Sequence, residues 1–221
     1  MQSGAVQIRK CKKCGGLIEE ETFLSWNNLG GVLWTDGYFD GDMWAEPLQL
    51  VKCPHCREIL WIDDQELLGR KRKRGMGRGS WRDFLGSEPF ARLQTSDYFQ
   101  VIDQGGLDGK RLRYVRIRAW QWGNHARRAC TRAGSPFSRE AGWTPLPMSE
   151  RERKNLEALL HLLDECDEDD RLMKAEACRE LGRFDTALRL LEKPFEDELL
   201  RAVDCIRELV VKKDDLVREV R

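Results

Sequence analysis

Apolar residues are spaced in two ways along this chain of 221 residues. Up to Ile62 they come in short runs, such as Leu48-Gln-Leu-Val-Lys52 and Ile59-Leu-Trp61-Ile62, with Asn27-Asn28, Gly30-Gly31, Asp36-Gly37 and Asp40-Gly41 between runs. Brief β-prone runs punctuated by such turn pairs predict tight hairpins, with 48–52 as one strand and 59–62 as another. From Trp81 onward the spacing becomes that of helices.

Ser96-Asp97 can cap a short helix carrying Tyr98, Phe99, Val101 and Ile102, which Gly105-Gly106 would end. A stronger helix opens at Asp108 or Gly109, with Leu112, Val115, Ala119 and Trp122 along one face. Glycines and prolines make 134–147 a connecting loop. Ser149-Glu-Arg-Glu152 is a capping box and starts a helix through Leu156, Leu159, Leu160 and Leu163. Over 171–194, small Ala175 and Cys178, a Leu181-Gly182 turn, aromatic Phe184, small Ala187 and the stop at Pro194 are similar to one tetratricopeptide repeat. A single repeat does not stand alone, so neighbouring helices must complete the stack, among them an amphipathic one over 196–211. A short charged tail closes the chain.

Cysteine spacing adds chemistry. Cys11-Lys-Lys-Cys14-Gly is answered by Cys53-Pro-His-Cys56-Arg, and two C-x-x-C knuckles supply the four thiolates of a structural metal site. Lys12, Lys13 and the Gly15-Gly16 pair suit such a turn, because glycine tolerates positive φ and cations favour thiolate. One structural zinc held by Cys11, Cys14, Cys53 and Cys56 is the expected cofactor, with iron the rival. His55 is expected to be a solvent-facing turn residue. Cys166, Cys178 and Cys205 are expected to be buried thiols. The fold class is thus α+β: a small antiparallel zinc-ribbon module over 1–68, then an all-α domain over 81–221.

Between them, 69–80 is the sharpest compositional break, five consecutive cations beside alternating glycines, and reads as a flexible basic linker. Its Arg70, Lys71, Arg72, Lys73, Arg74 and Arg78 are candidates for contacting a nucleic-acid backbone. Trp26, Trp34, Trp44 and Trp61 place half of the eight tryptophans near the knuckles. They either pack on the small sheet or, with Trp34, Tyr38 and Trp44 beside Thr35 and Asp36, form an exposed platform for a base or a peptide. The formal net charge of zero hides a division: residues 1–69 carry 6 basic and 11 acidic side chains, 70–139 carry 17 and 5, and 140–221 carry 15 and 22. The basic middle can contact nucleic acid or pair with the acidic third, and pairing is the reading favoured for its helical arginines. No apolar run approaches the roughly 20 residues that span a membrane, and no leader is evident, so a cytoplasmic protein is expected.

The run Cys-x-x-Cys-Gly, Trp34-Thr35-Asp36-Gly37, Met43-Trp44, Pro47 and Val51-Lys52-Cys53-Pro54-His55-Cys56 resembles a group of uncharacterised bacterial proteins with a zinc-ribbon-like head and a tetratricopeptide-like tail. The resemblance implies that architecture and a bacterial cytoplasmic setting, and no activity. The knuckles also resemble those of rubredoxin, an iron electron carrier, but Arg57 stands where rubredoxins have glycine and the intervening segment is longer. No G-x-x-x-x-G-K-[ST], G-x-S-x-G or H-E-x-x-H run is present. The expected function is that of a non-enzymatic adaptor whose helical surface binds a protein or peptide, with the acidic run 164–170 selecting a basic partner. A nucleic-acid-associated factor is the alternative, and a rubredoxin-like carrier the third.

Overall fold

The computed structural model describes residues 2–25, 30–41, 48–71, 84–132 and 144–221. Its elements run β1 (Gln2–Lys10), β2 (Leu17–Ser25), β3 (Val32–Leu33), β4 (Phe39–Asp40), β5 (Leu50–Lys52), β6 (Ile59–Trp61), a 3-10 turn (Ile62–Asp64), β7 (Glu66–Lys71) and β8 (Glu88–Pro89). Helices follow: α1 (Thr95–Gln104), α2 (Gly109–Gly123), α3 (His125–Thr131), α4 (Glu150–Leu160), α5 (Glu168–Glu180), α6 (Phe184–Leu191) and α7 (Asp197–Val211). The class is α+β. Two compact units are present, Met1–Gly31 with Gly41–Asp97, and Val32–Asp40 with Tyr98–Arg221.

The first unit is built on a mixed sheet in the order β7-β1-β2-β8. Alternation explains β1, where Val6 and Ile8 are buried while Gln7 and Arg9 are half-buried. β2 and β7 both pair antiparallel with β1, whereas β8 lies parallel to β2, so this sheet is not purely antiparallel. A separate hairpin pairs β5 with β6. Ile18, Val51, Leu60 and Ile62 share a core with Cys11 and Cys53. β7 continues through Gly69, Arg70 and Lys71, three residues read from the sequence as linker, because their backbone pairs with Val6, Gln7 and Ile8 of β1.

The second unit packs α2 on α4, α5 on α6, and α7 on both α5 and α6. Ala175 and Ala187 are fully buried where α5 and α6 meet, and Gly182 (φ 74°) makes the turn between the pair, so the packing expected of 171–194 is present. Ser149 caps α4 with both hydrogen bonds of the capping box. One strand pair comes from the first half of the chain. β3 and β4 form a hairpin, and the C-terminal tail lies along it: Thr35 N donates to Arg218 O and Val220 N to Leu33 O, each at 2.8 Å. Val217 and Val220 are buried there, so the expected charged tail is in fact a packed edge.

Candidate metal centre

Each knuckle is the tip of a hairpin. β1 delivers Cys11 and Cys14 and β2 carries the chain away, while β5 and β6 frame Cys53 and Cys56 in the same manner. The two turns close alike: Gly15 N donates to Cys11 O (2.8 Å) and Cys11 N to Gly16 O (2.9 Å), as Arg57 N does to Cys53 O (3.0 Å) and Cys53 N to Glu58 O (2.9 Å). Both need a left-handed residue after the second cysteine, supplied by Gly15 at φ 75° and by Arg57 at φ 64°. The glycine lacking at Arg57 therefore does not change the turn.

The four sulfurs lie within 4.8 Å of one another, with Cys11 to Cys56 at 3.9 Å and Cys14 to Cys53 at 3.8 Å. A tetrahedron with metal–sulfur bonds of about 2.3 Å has edges of about 3.8 Å, so these separations fit one ion and are far too long for disulfides. All four cysteines are free. Among the described residues the donor set is four sulfurs with no fifth protein ligand: His55 is exposed, and its Nε2 lies 3.0 Å from Leu17 O, which agrees with the turn position expected for it. That ring packs against Gly16, where a methyl group would overlap it. Gln65 ties the knuckles from behind, accepting from Lys12 N (3.0 Å) and donating to Trp61 O (3.0 Å). Without metal, burial pushes the Cys53 thiol up to about 12, while the Glu58 N–H pulls Cys56 down from its ordinary value. Gly16 N also reaches Cys14 Sγ at 3.4 Å. Backbone N–H groups aimed at sulfur are what a bound thiolate requires.

Trp34 is 1% exposed, and it lies in the second unit rather than on an open platform. Tyr38 is half-buried, with the Arg128 guanidinium 4.2 Å from its ring centroid. Trp34 and Tyr38 are thus packed among side chains of the second unit. Lys71 pairs with Glu19, and Arg70 is exposed on β7. Trp26, Trp44, Arg72, Lys73, Arg74 and Arg78 lie outside the described residues.

A second polar cluster had no signal in the sequence. Asp36 is paired with buried Arg128, and Asn124 Nδ2 lies 3.0 Å from both Asp36 Oδ2 and Glu180 Oε1. Trp120 Nε1 donates to Glu180 at 2.9 Å, and the wholly buried Glu176–Arg179 pair completes the group. Burial, with Glu176 and Asp36 close by, pushes Glu180 up to about 8; burial raises Asp36 also, against the pull of Arg128. Sequence spacing gives no hint of this, because Asp36 and Asn124 lie far along the chain from Glu180.

Several of the acidic residues 164–170 are engaged within the fold. Asp167 caps α5 by accepting from Asp170 N, Asp170 pairs with Arg113, and Glu165 pairs with Lys174. Of the expected buried thiols, Cys178 is buried and Cys205 half-buried, but Cys166 is exposed in the turn before α5, where Cys166 N donates to Asp164. No protein-family model, curated protein or solved structure matches the chain. No described helix is long and apolar enough to cross a membrane.

Proposed function

We propose that Cys11, Cys14, Cys53 and Cys56 hold one structural zinc ion, and that the chain is a non-enzymatic interaction protein whose tetratricopeptide-like helices engage a protein partner. The carrying observation is the sulfur set, four cysteines within 4.8 Å, with no carboxylate or imidazole in the cluster among the described residues. Such a set closes a tetrahedral ion on all sides, leaving no position for substrate, so the ion would contribute folding energy rather than chemistry. Zinc is preferred to iron as the ordinary occupant of a structural four-thiolate site. Neighbouring groups orient the residues that would hold it: Gly16 N steadies Cys14, and the Gln65 bridge keeps the hairpins together.

An adaptor reading is favoured over a nucleic-acid one by where the basic charge goes. Arg113, Arg127 and Arg128 are paired with Asp170, Glu152 and Asp36, so these helical arginines are engaged within the fold rather than offered to phosphates. Elemental analysis of the natively purified protein tests the site. About one zinc per chain is expected, lost in Cys11→Ser and Cys56→Ser together with folding of the first unit. Iron with a red colour would establish the electron carrier instead, and steeply salt-dependent binding to nucleic acid would establish the alternative factor.

A further inference from the structure

The hairpin β3–β4 lies in sequence between Cys14 and Cys53, yet it belongs to the helical unit. It is held there as a ligand is held. The Asp36 carboxylate meets Arg128 and Asn124, the Asp36 carbonyl accepts from Gln121 Nε2 at 3.1 Å, and Arg128 lies over the rings of Tyr38 and Trp34 at 4.2 and 5.7 Å. Helices α2 and α3 thus form a seat for a turn that presents a carboxylate between two aromatic rings.

We propose that this seat is filled conditionally: the metal-closed knuckles keep the hairpin on the helical unit, and opening them frees it and uncovers the Arg128–Asn124 surface. The inference rests on the metal reading above. Three observations carry it. The chain enters the hairpin from the first unit at Gly31 and returns to that unit at Gly41, so folding of that unit restrains both ends of the hairpin. That unit's buried cluster around the knuckles is small and includes two of the four cysteines, so it depends on the ion. Without it, the restrained ends become flexible chain, and seating the hairpin must then close a longer loop. Finally, Asp36 is wholly buried, and a buried carboxylate is tolerated only with its partners in place, which makes the seat either fully formed or lost. Linkage is reciprocal, so a seated hairpin also strengthens metal binding.

Amide hydrogen exchange on the full-length protein, with metal content assayed and thiols kept reduced, tests this before and after chelation. The Gly37 amide, which donates within the hairpin, the Thr35 amide, which donates to the tail, and the Val220 amide, which donates from the tail to the hairpin, are expected to exchange roughly tenfold faster or more after metal loss. Amides within the α5–α6 pair, such as Leu181 and Ala187, are expected to keep their protection. In Asp36→Asn the hairpin amides are expected to exchange faster with metal content retained. Unchanged hairpin protection after verified metal loss, or in Asp36→Asn, overturns the proposal and leaves the metal centre standing. Equal loss of protection in α5 and α6 also overturns it, since that is global unfolding. Absence of metal from the native protein overturns the metal centre and this inference together.

Discussion

At the level of single residues, the two knuckles differ in how they afford the same turn. Gly15 adopts φ 75° freely, whereas Arg57 at φ 64° carries a Cβ into a region that costs a non-glycine residue about 1 kcal/mol. Arg57→Gly relieves that cost but loosens the unfolded chain, so a net stabilisation of up to about 1 kcal/mol is expected from the urea midpoint of the metal-loaded protein. Gly16 is constrained by space, because a methyl group there overlaps the His55 ring. Gly16→Ala should cost about 1–3 kcal/mol by the same measurement, and an unchanged midpoint would show that His55 swings away without loss. Gly15 could be anticipated from the C-x-x-C-G run. The matching turn at Arg57 could not, because arginine advertises no left-handed preference.

At the level of elements, what could be read ahead was whatever depends on near neighbours. The capping box at Ser149 and the small residues of α5 and α6 act within a few positions, and each is found in place. Ser149→Ala is expected to cost about 1 kcal/mol of thermal stability, the ordinary value of an N-cap. Glu152 is worth more than its half of the box, because it also receives two nitrogens of the buried Arg127 guanidinium. Burial opposes its ionisation, but Arg127 and Ser149 together hold it below the usual carboxylate range. Glu152→Ala strands Arg127 and is expected to cost about 3–5 kcal/mol in chemical denaturation, so a loss no larger than that of Ser149→Ala would refute the stranded-charge account. The turn pair Asp36-Gly37 predicts the β3–β4 hairpin, but what the hairpin packs against could not be read, for the opposite reason. Its partners on the tail are 183 residues away, as in the Arg218 N to Thr35 Oγ1 bond, and no local pattern encodes such a pairing.

At the scale of the whole molecule, several described arginines of the basic middle pair within the second unit, and a buried carboxylate near them, Glu180, gives that unit a pH dependence. Glu180 is buried facing Trp120 and Asn124 from α2 and its C-terminal end, Glu176 and Arg179 from α5, and Asp36 from the hairpin, and it titrates near 8 rather than at its ordinary 4.5. Between those values an unfolded chain releases a proton that the folded one keeps. Stability from this group is therefore complete below 4.5 and is lost as pH rises towards 8. One such proton gives a slope of up to about 1.4 kcal/mol per pH unit. Glu180→Gln keeps the carbonyl that accepts from Trp120 and removes this titration, so its melting temperature should fall less steeply with pH than the parent's, the remaining slope coming from Asp36, and should exceed that of the parent at the alkaline end. Helical circular dichroism with metal in excess reads the second unit while keeping the knuckles closed, since protonated thiols release metal in acid. If Glu180→Gln shows the parent's slope, the titrating group lies elsewhere and the carboxylate is held ionised by Asn124 and Trp120.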